Sequence, residues 1–192
     1  KSRFRSYYKG TDGKIKKDHI SNYVSSGIIG YFDRYDRNVF RKSNGKKTSK
    51  KSIPGIPCRT TKFTKDQVAK WKHSLPLIKR TDSLFKTLVP RRHKIQLSRM
   101  NKTSTFQIEN TAFSTITINF NYRTALHKDR GDLEEGFGNL IVLEKNKCVS
   151  ASDDYKGGLM GFPQYGIAVN VRNGDFLAMD VHEWHCNTKI KP

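Results

Sequence analysis

Residues 115–129 read Thr115-Ile116-Thr117-Ile118-Asn119-Phe120-Asn121-Tyr122-Arg123-Thr124-Ala125-Leu126-His127-Lys128-Asp129. The first eight alternate strictly between polar and apolar, the period of a half-buried β-strand. The even positions Ile116, Ile118, Phe120 and Tyr122 are expected to pack against the rest of the fold. The odd positions Thr115, Thr117, Asn119 and Asn121 face the other way. Carried onward, the same parity puts Arg123, Ala125, His127 and Asp129 on the polar face. A sheet that buries apolar side chains on one face and gathers His and Asp on the other predicts a small barrel or jelly roll with a polar lumen.

The sequence downstream continues in strands. Leu140-Ile141-Val142-Leu143 is a continuous apolar strand, and Tyr155 to Met160 is a turn entering another. Gly166 to Val171 reads as a third strand. Asn173-Gly174 is a hairpin dipeptide leading into Asp175 to Val181.

Upstream, helical signals dominate. Thr64 with Gln67 forms a capping box, Val68, Trp71 and Leu75 keep helical spacing, and Pro76 is expected to end that helix. A second helix is predicted from Thr81-Asp82 to Pro90, with Leu84, Phe85 and Leu88 on one side, and a third from Arg91 to Met100. Before these, Ile28 to Phe32 reads as a short strand, Arg41 to Ser52 as a flexible basic loop, and Ile53 to Pro57 as an extended connector. Helices first and short strands after predict an α+β fold: a double-stranded β-helix (jelly-roll or cupin-like barrel) with N-terminal helices packed on the sheet.

Charge divides the 192 residues in the same place. Residues 1–51 hold fifteen Lys and Arg against four Asp and Glu. Residues 52–103 hold thirteen against two, and residues 104–192 hold nine against eleven, which together give the net +20. The first 103 residues are therefore expected to be a basic region that grips a polyanion, nucleic acid above all, and residues 104–192 a catalytic core. No apolar run approaches the roughly 18 residues that span a bilayer, and no signal-peptide pattern is present. Cys58, Cys148 and Cys186 lie far apart without CxxC spacing, which fits an intracellular, reducing compartment. That compartment is the nucleus if the source is eukaryotic or a virus within such a host. The start at Lys1 and the stop at Pro192 read as the ends of a piece clipped from a longer protein.

His127 and Asp129 lie two residues apart on one strand face. A distant His returning from another strand would complete a two-His-one-carboxylate set that covers one side of a metal ion and leaves the other open. That is the preferred site of non-haem Fe(II) oxygenases. His182 and His185 in His182-Glu183-Trp184-His185-Cys186-Asn187-Thr188 compete for the third place. A zinc ion on His182, His185 and Cys186 is the rival metal reading, and crowded ligands with no second Cys/His pair count against it.

Four groups of residues carry a family resemblance: Thr124 to Asp129, Gly157-Gly158-Leu159 with Phe162-Pro163, Gly174-Asp175, and His185 to Thr188. Together they resemble the double-stranded β-helix core of the Fe(II)/2-oxoglutarate-dependent dioxygenases. The closest group is TET/JBP, the oxidases of 5-methylcytosine and thymine. The resemblance implies His127, Asp129 and His185 as catalytic metal ligands, with His182 the fallback, because His185 lies eleven residues beyond Gly174. It implies Fe(II), 2-oxoglutarate and O2 as cofactor and co-substrates, and Asn119, Asn121 and Arg123 as co-substrate or substrate contacts. Two departures stand out. Cys186 occupies a place where glycine is common, and after His185 the only cations given are Lys189 and Lys191. The basic anchor for 2-oxoglutarate is therefore expected at Arg123 or outside the sequence given.

The implied function is hydroxylation of a nucleic-acid base, the methyl group of thymine or 5-methylcytosine in DNA, with the base flipped out of the duplex to reach the iron. Two other functions fit parts of the sequence: hydroxylation of prolyl or lysyl side chains in a protein, and nucleic-acid binding by a non-catalytic barrel. The sequence does not speak to oligomeric state.

Overall fold

In a computed structural model of the chain, the described residues are 2–3, 7–9, 15–17, 23–32, 41–43, 46–48, 58–120, 123–129, 131–144 and 155–190. Seven strands come first: β1 (Ser2–Arg3), β2 (Tyr7–Lys9), β3 (Ile15–Lys17), β4 (Tyr23–Phe32), β5 (Arg41–Ser43), β6 (Lys46–Thr48) and β7 (Arg59–Thr60). Helices α1 (Lys62–Asp66), α2 (Val68–Leu88) and α3 (Pro90–Asn101) follow. Then come β8 (Thr115–Phe120), β9 (Gly138–Ile141), β10 (Met160–Phe162), β11 (Ile167–Val169), β12 (Phe176–Met179) and β13 (Cys186–Asn187). The fold is mixed, and every strand pairing is antiparallel.

Two of the predicted helices are one. α2 runs unbroken through Pro76, because Trp71, Leu75, Ile78, Thr81 and Phe85 continue a single inward stripe across it. Pro76 is exposed, so the backbone carbonyl it leaves without an amide partner can be met by water. Pro90 opens α3 as its first residue, where a missing N–H costs nothing. Leu88 is 61% exposed, off the stripe expected of it. The cap of α1 is Thr61, whose hydroxyl accepts the Thr64 amide at 3.4 Å. Thr64 is itself buried and spends its own hydroxyl on the Gly30 amide at 2.8 Å.

Gly30 is a junction. Its φ is +87°, and a Cβ there would sit 2.5 Å from the Ser114 carbonyl oxygen and 2.8 Å from Ile108. Its carbonyl accepts the Thr61 amide at 2.9 Å, and the next residue, Tyr31, donates to Ser114 O at 2.8 Å. Only glycine combines that φ with so close an approach. The core forms around this point from Ile29, Ile78, Phe85, Ile108, Ala112 and Phe113. Phe137, Phe176 and Ala178, on or beside β9 and β12, pack onto it. The helices and the β9–β12 sheet thus share one apolar interior. His93, 4% exposed, reaches Asp82 Oδ1 at 3.0 Å, and the same oxygen accepts the Ala112 amide at 2.8 Å.

β8 pairs along its whole length with β4, from Gly30–Thr115 to Ser25–Phe120. Its alternation is only half obeyed. Ile116 packs on the core, whereas Ile118 and Phe120 are 52% and 60% exposed. The strand leaves the helical layer as it runs on, so its later apolar residues have no helix beneath them. Arg41–Ser43 and Lys46–Thr48, expected as loop, form the two-stranded β5–β6 sheet.

Asn173-Gly174 does make a turn, with Asp175 N donating to Arg172 O at 2.9 Å. It does not join partners in a hairpin. β11 belongs to the sheet ordered β11-β10-β13, whereas β12 pairs with β9. The chain crosses between sheets there. Among the described residues, no helix is long and apolar enough to cross a membrane.

Candidate metal centre

The segment 124–129 is zipped to 181–187. His127 N donates to His185 O and His185 N to His127 O, both at 3.0 Å, while Asp129 N donates to Val181 O at 2.9 Å. At the far end Asn187 N reaches Thr124 O at 3.3 Å, and the Asn187 side-chain oxygen accepts the Thr124 amide. β13 continues this ladder into β10, where Gly161 stands opposite Cys186. Backbone pairing alone brings two histidines 58 positions apart face to face, with ring centroids 4.2 Å apart.

Both rings are held by the same device. His127 Nδ1 lies 2.8 Å from Ala125 O, and His185 Nδ1 lies 2.8 Å from Glu183 O. A carbonyl can only accept, so each Nδ1 must carry the proton, and each Nε2 keeps its lone pair when the ring is neutral. Those two Nε2 atoms converge on one carboxylate. His127 Nε2 is 3.2 Å from Asp129 Oδ1, and His185 Nε2 is 3.8 Å from Asp129 Oδ2. One ligand atom from each of the three lies within 4.8 Å of the others. Imidazoles oriented through their far nitrogens by backbone carbonyls are the usual supporting arrangement for metal ligands.

Electrostatics agree with the geometry. The hydrogen bond that protonated His127 donates to Asp129 raises His127 above its ordinary imidazole value, and the same bond holds Asp129 below the usual carboxylate range. A cation placed among the three would replace that proton. Burial is lopsided: the His185 side chain is 4% exposed, but those of His127 and Asp129 are 35% and 42% exposed. One side of the group is sealed by protein and the other opens outward, the pattern a metal needs if it is also to bind exchangeable ligands.

His182 stands outside this group. Its Nδ1 is 3.1 Å from Asp180 Oδ1 and its Nε2 is 3.4 Å from Asp132 O, so both ring nitrogens are engaged elsewhere. Among the described residues, His182, His185 and Cys186 do not form a cluster that could hold zinc. Of the other candidates, Asn119 is exposed on β8, Arg123 is exposed three residues beyond it, and Asn121 lies outside the described residues. The parity argument that linked β8 to His127 passes through residues 121 and 122, which also lie outside them.

The helices reach the site through the loop after Asp129. Arg92 donates to Glu135 O at 3.0 Å and lies over the Phe137 ring. Gln96 accepts the Phe137 amide at 3.1 Å and donates to Ala112 O at 3.0 Å. No sequence pattern marked Gln96 for this bridging place. Its only signal was an amide side chain on the inner side of α3.

Comparison with known proteins bears on the same residues. The family model for the Tet/JBP oxygenase domain of the 2OGFeDO superfamily matches residues 43–192. The chain is 31% identical over 167 residues to thymine dioxygenase JBP1 of Trypanosoma brucei brucei, covering 87% of this chain and 17% of that protein. It is 32% identical over 165 residues to the bifunctional helicase and thymine dioxygenase JBP2 of Leishmania major, covering 86% and 13%. The chain thus spans about a sixth or less of the length of the curated relatives it matches. No solved structure matches it.

Proposed function

The chain belongs to the Tet/JBP oxygenase-domain family of the 2OGFeDO superfamily, and we propose that it is an Fe(II)- and 2-oxoglutarate-dependent dioxygenase that hydroxylates the methyl group of thymine or 5-methylcytosine in DNA. The observation that carries this reading is the matched pair of imidazoles, each fixed at Nδ1 by a backbone carbonyl and each presenting Nε2 to Asp129. Two neutral nitrogens and one carboxylate oxygen with an open side suit ferrous iron. His127, Asp129 and His185 are the ligands in this proposal. Iron held there supplies O2-dependent oxidation of a C–H bond coupled to decarboxylation of 2-oxoglutarate to succinate and CO2.

The protein's own groups do the rest. The backbone pairing between 124–129 and 181–187 sets the spacing of the three side chains. Arg123, with Asn119 and Asn121, is assigned to the co-substrate or substrate, Arg123 standing immediately before the segment 124–129. The double-stranded β-helix is part of the proposal, with residues 104–192 as its core. It is supported by the two small antiparallel sheets, β11-β10-β13 and β12-β9, and by the crossing between them at Arg172–Asp175.

DNA as partner follows from the relatives' printed activity and from charge. Helices α1 to α3 carry eleven Lys and Arg against two Asp. Both acids are engaged within the fold, Asp66 by Lys62 at 2.7 Å and Asp82 by His93. Apart from Lys62, paired with Asp66, and Lys79, paired with Glu109 at 3.2 Å, the exposed helix cations are available to meet phosphates, and residues 1–103 are assigned that role.

Succinate release with Fe(II), 2-oxoglutarate and a panel of oligonucleotides bearing thymine or 5-methylcytosine tests the reading. Turnover on an oligonucleotide that disappears with Asp129→Ala is expected. Turnover confined to prolyl or lysyl peptides overturns the nucleic-acid substrate.

A further inference from the structure

We infer that Trp184, backed by Lys128, is a stacking platform for a nucleobase of the bound strand beside the reactive one. This inference rests on the reading of DNA as substrate.

Lys128 and Trp184 each adjoin one member of the His127–His185 backbone bridge, Lys128 following His127 and Trp184 preceding His185. The Lys128 ammonium indeed lies over the Trp184 ring, 5.6 Å from its centroid. Leu126 is 50% exposed and Trp184 is 42% exposed. A Trp at a tight backbone pairing would ordinarily be covered by its neighbours. Here its neighbour in sequence, His185, is 3% exposed and nearby Val181 is 4% exposed, so the exposed indole borders buried residues.

An exposed aromatic face joined to a cation, one residue from a metal ligand, has the chemistry of a single-strand contact. The ring stacks on a base of any sequence and the ammonium meets the adjoining phosphate. Extracting one base from a duplex also leaves its neighbours unstacked, and a rim aromatic gives one of them a new surface.

The test uses fluorescence. The chain has two tryptophans, Trp71 and Trp184, so Trp71→Phe leaves Trp184 as the reporter. Oligonucleotides with a central thymine are titrated into the Fe(II)-loaded protein without O2, and Fe(II) binding is measured on every variant as a control of the site. Quenching of Trp184 on saturation is expected. Trp184→Ala should weaken binding roughly five- to a hundredfold, and Trp184→Phe should retain part of that affinity. Trp184→Ala should leave the salt dependence unchanged, whereas Lys128→Ala should lower its slope by about one phosphate contact. Oligonucleotide binding with unchanged Trp184 emission, and with Trp184→Ala within about twofold of the parent, overturns this inference alone. Absence of oligonucleotide binding by any variant at low salt overturns it together with the nucleic-acid reading.

Discussion

His127 and His185 are joined by two reciprocal backbone hydrogen bonds of 3.0 Å, and the ring of each is oriented by the carbonyl two residues before it. The placement of the two imidazoles is therefore built by the backbone. Asp129 is tied to the same segment by its own amide, which donates to Val181 O at 2.9 Å.

Removing a ligand should abolish metal binding without unfolding the ladder. Fe(II) at a hundred times its dissociation constant is expected to stabilise the parent by about 2.7 kcal/mol, seen as a higher melting temperature. Asp129→Ala, His127→Ala and His185→Ala should each lose that increment. His182→Gln should keep it, because His182 spends its ring on Asp180 and Asp132. Loss of metal stabilisation in His182→Gln alone would move the third ligand to His182.

Proton and metal compete for the same pocket. In the metal-free protein, His127's share of the pair is present below its ordinary value near about 6.5 and is lost as pH rises through its raised value. Asp129's share is present above about 3.9 and is lost as pH falls through its lowered value. The ion pair stabilises most between those limits, and only weakly, because both side chains are more than a third exposed. Metal binding runs the opposite way. Ligation needs a neutral imidazole, so Fe(II) affinity should rise about tenfold per pH unit up to the raised His127 value and flatten above it. Calorimetry in two buffers of different ionisation enthalpy should show about one proton released per metal on the rising limb.

Gly30→Ala should destabilise the protein by about 2–4 kcal/mol. The φ of +87° and the Ser114 carbonyl both oppose a Cβ. Denaturant unfolding followed by circular dichroism measures it, and a loss below about 0.5 kcal/mol would mean that the junction of β4, α1 and β8 yields more easily than its geometry implies.

Pro76→Ala should have the reverse sign. The position is exposed and interior to α2, so alanine restores an amide donor to the helix and removes the ring's clash with the preceding turn. A gain of about 1–3 kcal/mol is expected, read as a rise in melting temperature with metal binding unchanged.

Local signals in the sequence reached a long way. The breaks at Pro90 and Asn173-Gly174, the first half of the run 140–143 and the alternation over 115–120 each marked a real feature of the chain. They failed where burial overruled them. Pro76 reads as a stop, yet the Trp71–Leu75–Ile78–Phe85 stripe holds α2 together through it. Ile118 and Phe120 read as core, yet β8 has left the helices by then and they are exposed. Asn173-Gly174 reads as a hairpin because the dipeptide specifies a turn and says nothing about which strands will pair.

By itself, the sequence determined the residue types available to the site: a His-x-Asp, a second His after a turn eleven residues earlier, and a strongly basic first half. Those are matters of spacing and composition, which the chain carries at every length scale. Only the tertiary structure decided which histidine joins the group, how its ring is turned and where the neighbouring Lys128 and Trp184 come to lie. Each depends on the register between 124–129 and 181–187, and register is set by long-range backbone pairing and by what each face can bury, neither of which a local pattern encodes.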